Sequence, residues 1–227
     1  MKCLFKRIYS IEGNIGAGKS TLIDLIAQNI PGVTILPEPV LAWKNISGED
    51  LLSAFYNDPK RWTFTFELYS MFSKVKRLKN LLQSEATVIV MERSLFSDKA
   101  FQHISYYYDK LDTKEMTILQ EVYDFLMTDY IGLDGVIYVA TSPEICLSRI
   151  KKRGRDEEKD ITLDYLKKLD DQFINTNYGC KVVSINGNYD LEHPDNIMLN
   201  IHNFLMKKDG YSSRDDKENA ALNTPNP

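Results

Sequence analysis

The chain has 227 residues, 43% hydrophobic and 26% charged, enough to bury one good core and ordinary for a globular protein in water. A net charge of −4 argues against duplex binding, which calls for a basic surplus, and no apolar run approaches the roughly 20 residues that span a bilayer. Its three cysteines, Cys3, Cys146 and Cys180, lie too far apart for a CxxC pattern and are expected as reduced thiols.

The first predicted strand, Arg7 to Glu12, begins close enough to Met1 that no signal or transit peptide is expected, and a cytoplasmic protein follows. It runs into Gly13-Asn14-Ile15-Gly16-Ala17-Gly18-Lys19-Ser20, which fits G-x-x-x-x-G-K-[ST], the P-loop. Glycines there let successive backbone N–H groups turn inward around a phosphate chain. Lys19 would reach the β- and γ-phosphates, and the Ser20 hydroxyl would ligate Mg²⁺. Ser20 to Ala27 has helical apolar spacing, which places a positive helix N-terminus under the phosphates. A chance glycine-rich turn would lack this strand before and helix after.

Pro31-Gly32 closes a turn, and a second strand, Val33 to Leu36, ends in Pro37-Glu38-Pro39, where the prolines stop the strand and hold Glu38 at its exit. A turn at 45–48 precedes a short helix through Phe55-Tyr56. From Pro59 a long amphipathic helix carries Phe64, Leu68, Met71, Val75, Leu78 and Leu82 at helical intervals. Thr87 to Met91 is a continuous apolar strand, suited to a sheet covered on both faces, and delivers Glu92-Arg93-Ser94 at its end.

Helices are predicted from Leu95 to Tyr108 and from Thr113 to Tyr130, then a strand from Gly135 to Ala140. Ser142-Pro143-Glu144 starts a helix that runs into a charge run between Arg149 and Asp160. A helix from Leu163 to Ile174, a strand from Lys181 to Ile185 and a helix from Asp195 to Met206 complete the pattern. Strands alternating with helices predict an α/β fold in three layers, a parallel five-stranded sheet flanked by helices. Ligands in such sheets sit at the carboxyl ends of the strands, where Gly13, Glu38 and Glu92 all fall. From Lys207 onward the chain is polar, and 207–227 is expected to be a disordered tail.

A phosphate loop, a lone carboxylate and an acid–arginine pair on three strand ends suit phosphoryl transfer, where a protein supplies positioning and positive charge. The segments EGNIGAGKST (12–21), EPVLAW (38–43), ERSLFSD (92–98) and RGRDEE (153–158) together resemble the deoxynucleoside kinases, in the branch of deoxycytidine and deoxyguanosine kinases. The resemblance spans roughly residues 8 to 206, and implies one kinase domain over 1–206 with ATP as donor and Mg²⁺ as cofactor. It implies that Glu38 is the general base for the sugar 5′-hydroxyl, that Arg93 orients it, and that Glu92 with Ser20 holds hydrated Mg²⁺. Thr21 completes the nucleotide-binding set. Arg149, Arg153 and Arg155 match a lid near 149–160 that closes over ATP. Tyr56 and Glu158 match the positions that hold the 3′-hydroxyl, while Trp43 and Phe66 match aromatics packed around the base. The family also implies a homodimer.

The base pocket departs from the family. Where relatives carry a base-reading glutamine, this chain has Glu67, and where they carry arginine it has Lys74, with Asp98 as the matching carboxylate. An ionised Glu67 offers only acceptors and suits the adjacent N1–H and N2–H₂ donors of guanine, with Lys74 free to donate to O6 or N7. This predicts a preference for deoxyguanosine or another purine; the alternative is that Glu67 pairs with Lys74, or turns away, and selects nothing. Gln102 stands where relatives place an aromatic, so the stacking around the base is expected to be incomplete, with Phe101 pointing elsewhere. Tyr106-Tyr107-Tyr108 are expected to pack at a helix end.

Lys217-Glu218-Asn219 in the tail resembles a KEN-type degron read by a ubiquitin ligase, against random polar sequence as the alternative. Two other readings compete for the whole chain. A nucleoside monophosphate kinase would need a basic site for its acceptor's phosphate, and the acceptor residues here are acidic and aromatic. A non-catalytic structural relative would have no need of Lys19, Ser20, Glu38, Glu92 and Arg93 together. No nucleic-acid or membrane partner is expected.

Overall fold

Side-chain alternation along the strands divides the core in two. In the computed structural model, which describes residues 6–129, 132–189 and 194–206, β1 (Arg7–Glu12) turns Tyr9 and Ile11 to one face and Ile8 to the other. In β3 (Val88–Glu92), Val88 and Val90 likewise oppose Ile89 and Met91. Together with β2 (Val33–Leu36), β4 (Gly135–Ala140) and β5 (Lys181–Asn186) they form one sheet in the order β2-β3-β1-β4-β5. Every pairing is parallel, with Ile8 opposite Ile89 and Ile11 opposite Ile137. Each strand must therefore return through a crossover, and helices cover both faces.

One face packs on α1 (Lys19–Asn29), α7 (Pro143–Arg153) and α9 (Asp195–Met206), through Leu22, Ile26, Ile150, Ile201 and Leu205. The other packs on α4 (Pro59–Leu82), α5 (Leu95–Tyr107) and α6 (Thr113–Asp129), through Met71, Val75, Leu95, Leu119 and Tyr123. Local chemistry sets the helix starts. Asp58 accepts from Arg61 N–H ahead of Pro59 in α4, and Ser94 accepts from Phe96 N–H at the head of α5. α3 (Leu51–Asn57) is capped by Asp50 and α8 (Leu163–Ile174) by Thr162. α1 has no side-chain cap. Its first-turn N–H groups point to the end of β1, where the glycine-rich loop lies.

The expected α/β layers and strand and helix ranges hold to within a residue or two. One element was not anticipated, the single turn α2 (Val40–Trp43) after Pro39. The charge run is also not one unit: α7 continues to Arg153, Gly154 ends it at φ 65°, and Asp156–Glu158 form a 3₁₀ turn. Cys3, the expected tail over 207–227 and Lys217-Glu218-Asn219 lie outside the described residues. No helix of the described residues is long and apolar enough to cross a membrane.

Candidate active site

The loop after β1 is tight enough that only glycine fits where it bends. A Cβ on Gly16, at φ 76°, would stand 2.6 Å from the Cys146 carbonyl oxygen, and one on Gly13, at φ 140°, would stand 2.8 Å from that of Val139. Gly18, at φ 103°, ends the loop at the head of α1. Lys19 is 5% exposed and folds back across the loop, donating to the carbonyls of Gly13 (3.1 Å) and Asn14 (2.7 Å). Burial, with Arg93 adding repulsion, pulls its pKa down to about 7. Ile15 N–H donates to the Asn14 side chain, whose own amide donates to Leu166. Ser20 donates to Glu92 Oε1 at 2.9 Å, so two hard oxygen groups stand together beside the loop, a donor set that fits magnesium. Ala17, whose carbonyl accepts from Thr141 and from Arg149, anchors the loop to β4 and α7, and Thr21 follows in the first turn of α1.

Glu38 and Arg93 meet over the ends of β2 and β3, with Arg93 Nη1 donating to Glu38 Oε2 at 3.1 Å. Burial opposes the charge on Glu38, but Arg93, then Lys74 and Lys19, outweigh it and hold the carboxyl below the usual carboxylate range. Arg93 is 7% exposed and sits at φ 58°, its Nε and Nη2 buried without an acceptor among the described residues. The Phe101 ring lies 5.1 Å beneath its guanidinium. Phe101 therefore does not point away from the site, because the turn of α5 that brings Asp98 inward also brings Phe101 under Arg93. Sequence reasoning overlooked Glu12, which is fully buried and accepts from Ser10 Oγ (2.8 Å), Ser94 N–H (2.8 Å), Ser94 Oγ (2.6 Å) and Ser97 Oγ.

An aromatic cluster approaches Glu38 through Tyr56. Phe66 stacks on Phe55 (4.6 Å) and meets Trp43 edge-on (5.2 Å), and Tyr56 packs on Phe55. The Trp43 indole donates to Ser73 Oγ at 3.0 Å. Phe55 and Tyr165 are further aromatic residues that the sequence did not single out. Burial raises the Tyr165 hydroxyl pKa, and Tyr56, Glu67 and Arg93 all act on it, which places it among them. At the far end Lys74 donates to Asp98 Oδ1 (2.8 Å), which also accepts from Ser70, while Asp98 Oδ2 is buried and unpartnered. One of the three Lys74 N–H groups is thus held by Asp98, and no hydrogen bond or ion pair joins Lys74 to Glu67 among the described residues. Glu67 is 3% exposed, and burial, then Asp98, raises its pKa well above the usual value, which works against the expected ionised form. Gln102 is 1% exposed and donates to Met71 Sδ, so the aromatic position is filled by an amide. Tyr108 stacks on Tyr165 and donates to Asp164, tying the end of α5 to α8 as a packing contact.

The arginines of the charge run separate. Arg153 makes a forked contact with Glu158 (2.8 and 2.7 Å to its two oxygens), and Arg155 reaches the same carboxylate at 3.4 Å. Tyr56 lies near Glu158, whose charge adds to burial in raising the phenol. Arg149 is turned the other way, donating to the carbonyls of Ala17 (3.1 Å) and Gly187 (2.9 Å), where it braces the phosphate loop. Lys44 pairs with Glu157 at 2.6 Å and ties α2 to the 3₁₀ turn.

These groups lie in one spatial sequence, the glycine-rich loop with Lys19, then the Glu38–Arg93 pair, then the aromatic cluster with Lys74, Asp98 and Glu67. The family model for deoxynucleoside kinases matches residues 9–206. A probable deoxycytidine kinase of fowlpox virus (strain NVSL) is 37% identical over 216 residues, 87% of this chain and 88% of its own. Mouse deoxycytidine kinase is 37% identical over 184 residues, 70% of this chain and 71% of its own. The mitochondrial deoxyguanosine kinase of Xenopus laevis is 35% identical over 185 residues, 72% and 70% of the two chains.

Proposed function

We propose, for a chain that belongs to the deoxynucleoside kinase family, that it transfers the γ-phosphoryl group of ATP to the 5′-hydroxyl of a deoxynucleoside held in the aromatic slot. The observation that carries this reading is the Glu38–Arg93 pair at 3.1 Å, set between the phosphate loop and the slot. A base must reach both the acceptor hydroxyl and the donor phosphates, and Glu38, which interacts with Lys19 of the phosphate loop and with Tyr56 of the aromatic cluster, suits that role.

Glu38 accepts the proton of the 5′-hydroxyl as it attacks. Held ionised by Arg93 and Lys74, it is ready to do so throughout the neutral range. Arg93 orients that carboxylate, and its Nε and Nη2, unpartnered among the described residues, would donate to negative charge developing on the transferred phosphoryl. Lys19 and the N–H groups of residues 13–21 hold the donor phosphates. Magnesium, held by Ser20 and Glu92 with its waters, would neutralise phosphate charge. Arg153 and Arg155 serve the lid, and Arg149 supports the loop from behind. Tyr56 and Glu158 hold the 3′-hydroxyl, and Trp43, Phe66, Glu67, Lys74 and Asp98 shape the base end. The deoxyguanosine preference requires an ionised Glu67, a form that burial and Asp98 oppose.

A homodimer is proposed through α4 and α6, which pack together and expose Phe72 (52%) on one and Ile118 (46%) and Phe125 (69%) on the other. Cytoplasmic residence and a ubiquitin-ligase signal at Lys217-Glu218-Asn219 remain proposals from the sequence, the latter tested by equal or unequal half-lives with and without it. Initial rates with Mg-ATP on deoxyguanosine, deoxyadenosine, deoxycytidine and thymidine, with a deoxynucleoside monophosphate as control, test the main reading. Turnover of deoxynucleosides is expected. Turnover of the monophosphate alone would favour a nucleoside monophosphate kinase, and none at all a non-catalytic relative.

A further inference from the structure

At the base end of the slot, Glu38 and Asp98 have ion-pair partners and Glu67 has none. Of the cations that act on these three carboxyls, Lys19 lies in the phosphate loop and Lys110 in the turn after α5, and only Lys74 and Arg93 make ion pairs with them among the described residues. Both cations are committed: Arg93 to Glu38 at 3.1 Å, and Lys74 to Asp98 at 2.8 Å with Glu38 beyond it at 4.0 Å. Glu67, 3% exposed, makes no ion pair or hydrogen bond among the described residues. The buried amide of Gln102 donates to Met71 Sδ at 3.3 Å. In a water-poor pocket a third negative charge without a partner is unfavourable, and retaining one proton removes it.

The groups facing Glu67 pull both ways, and those against a charge prevail. Asp98 from α5 repels a charge there; Lys74 from α4 and Lys110, in the turn after α5, favour one but are outweighed, Lys74 being paired with Asp98 and Lys110 made less basic by burial. Tyr165 from α8 is a neutral phenol. Burial, the largest influence, pushes the carboxyl the same way.

We propose that Glu67 reads the base as a neutral carboxylic acid, one O–H donor beside one carbonyl acceptor, and that loss of this proton turns the slot toward guanine. The neutral acid matches an amino group next to an unprotonated ring nitrogen: cytosine N4 and N3, or adenine N6 and N1. The O–H donates to the ring nitrogen, and the carbonyl accepts from the amino group. Ionised, the same side chain has acceptors only. It then opposes the ring-nitrogen lone pair and suits the N1–H and N2–H₂ donors of guanine.

This rests on the kinase reading, and competition separates the two. Deoxyguanosine and deoxycytidine are mixed with Mg-ATP from about pH 6 to about pH 9, and the ratio of their kcat/KM values is followed. Groups that serve both substrates alike cancel in the ratio. In the wild type the ratio of deoxyguanosine to deoxycytidine rises with pH, by at most about tenfold per pH unit for one proton. In Glu67→Gln, which cannot ionise, it stays flat. A flat wild-type ratio, or an equal slope in the variant, overturns the proposal. Absence of turnover on both would reject the kinase reading, and infrared spectra of the same proteins would then decide the proton alone. A protonated-carboxyl carbonyl band is expected in the wild type at neutral pH and missing from Glu67→Gln, and a wild type without it overturns the proposal.

Discussion

Arg93 occupies a left-handed backbone conformation, φ 58°, which costs a residue with a side chain about 1–3 kcal/mol. It is held there from both sides: its N–H donates to the Ile11 carbonyl at 3.1 Å, and Glu12 grips the next residue through Ser94 N–H and Oγ. Glu12 thus positions Arg93 without touching substrate. Glu12→Gln replaces an acceptor oxygen by an amide donor facing serine donors, and is expected to cost about 1–3 kcal/mol in thermal unfolding. It should also lower kcat more than it raises KM, a split that general loss of stability would not produce. This residue was within reach of sequence reasoning: strand alternation puts Ser10 and Glu12 on the buried face of Ile8, and a buried acid needs donors. The state of Glu67 was not legible, because it depends on which neighbours already hold Lys74. For Glu38 the sign is fixed by its lowered pKa. The ionised base persists as pH falls through the ordinary value of 4.5, so the acid limb of kcat/KM that Glu38 controls lies below it. Arg93→Gln removes the largest favourable charge on Glu38, and should move that limb up in pH.

Long elements were readable because their period was clear. Gly135–Ala140, Leu163–Ile174 and Asp195–Met206 appear with the expected bounds, since each carries an unbroken apolar rhythm between breakers. α2 escaped because four residues cannot display a helical period. The lid was readable as charge but not as geometry. Arg149 and Arg153, four residues apart, share a side of α7, and their divergence to the phosphate loop and to Glu158 is set by partners distant from that helix in sequence or beyond its Gly154 end. The loop between β1 and α1 yields a sharp test. Gly16→Ala drives a methyl to 2.6 Å from the Cys146 carbonyl of α7 and forces the loop off its path. ATP binding should weaken at least about tenfold by titration calorimetry, about 1.4 kcal/mol, with far less change for the deoxynucleoside.

At the scale of the molecule, a parallel sheet gathers the strand exits on one edge, and this makes a single crevice out of residues scattered from Glu12 to Glu158. The fold class was legible from alternation of strands and helices, and the crevice from the three motifs at strand ends. The outer face was not, because an exposed Phe125 looks no different in sequence from a buried one. Ile118 and Phe125 lie seven residues apart on one side of α6, so a charge placed there should disrupt an interface while leaving the core intact. Phe125→Asp is expected to convert a dimer into a folded monomer by analytical ultracentrifugation, and a wild type that sediments as a monomer would contradict the proposed interface.

The most direct test of the central claim is the single-turnover rate of 5′-phosphate formation with saturating Mg-ATP and deoxynucleoside, in wild type and Glu38→Gln. The account predicts a 5′-monophosphate product and a loss of about 10²–10⁴-fold in rate in the variant, with ATP affinity little changed. A variant that turns over at the wild-type rate would remove Glu38 from the chemistry and contradict the mechanism derived from its pairing with Arg93.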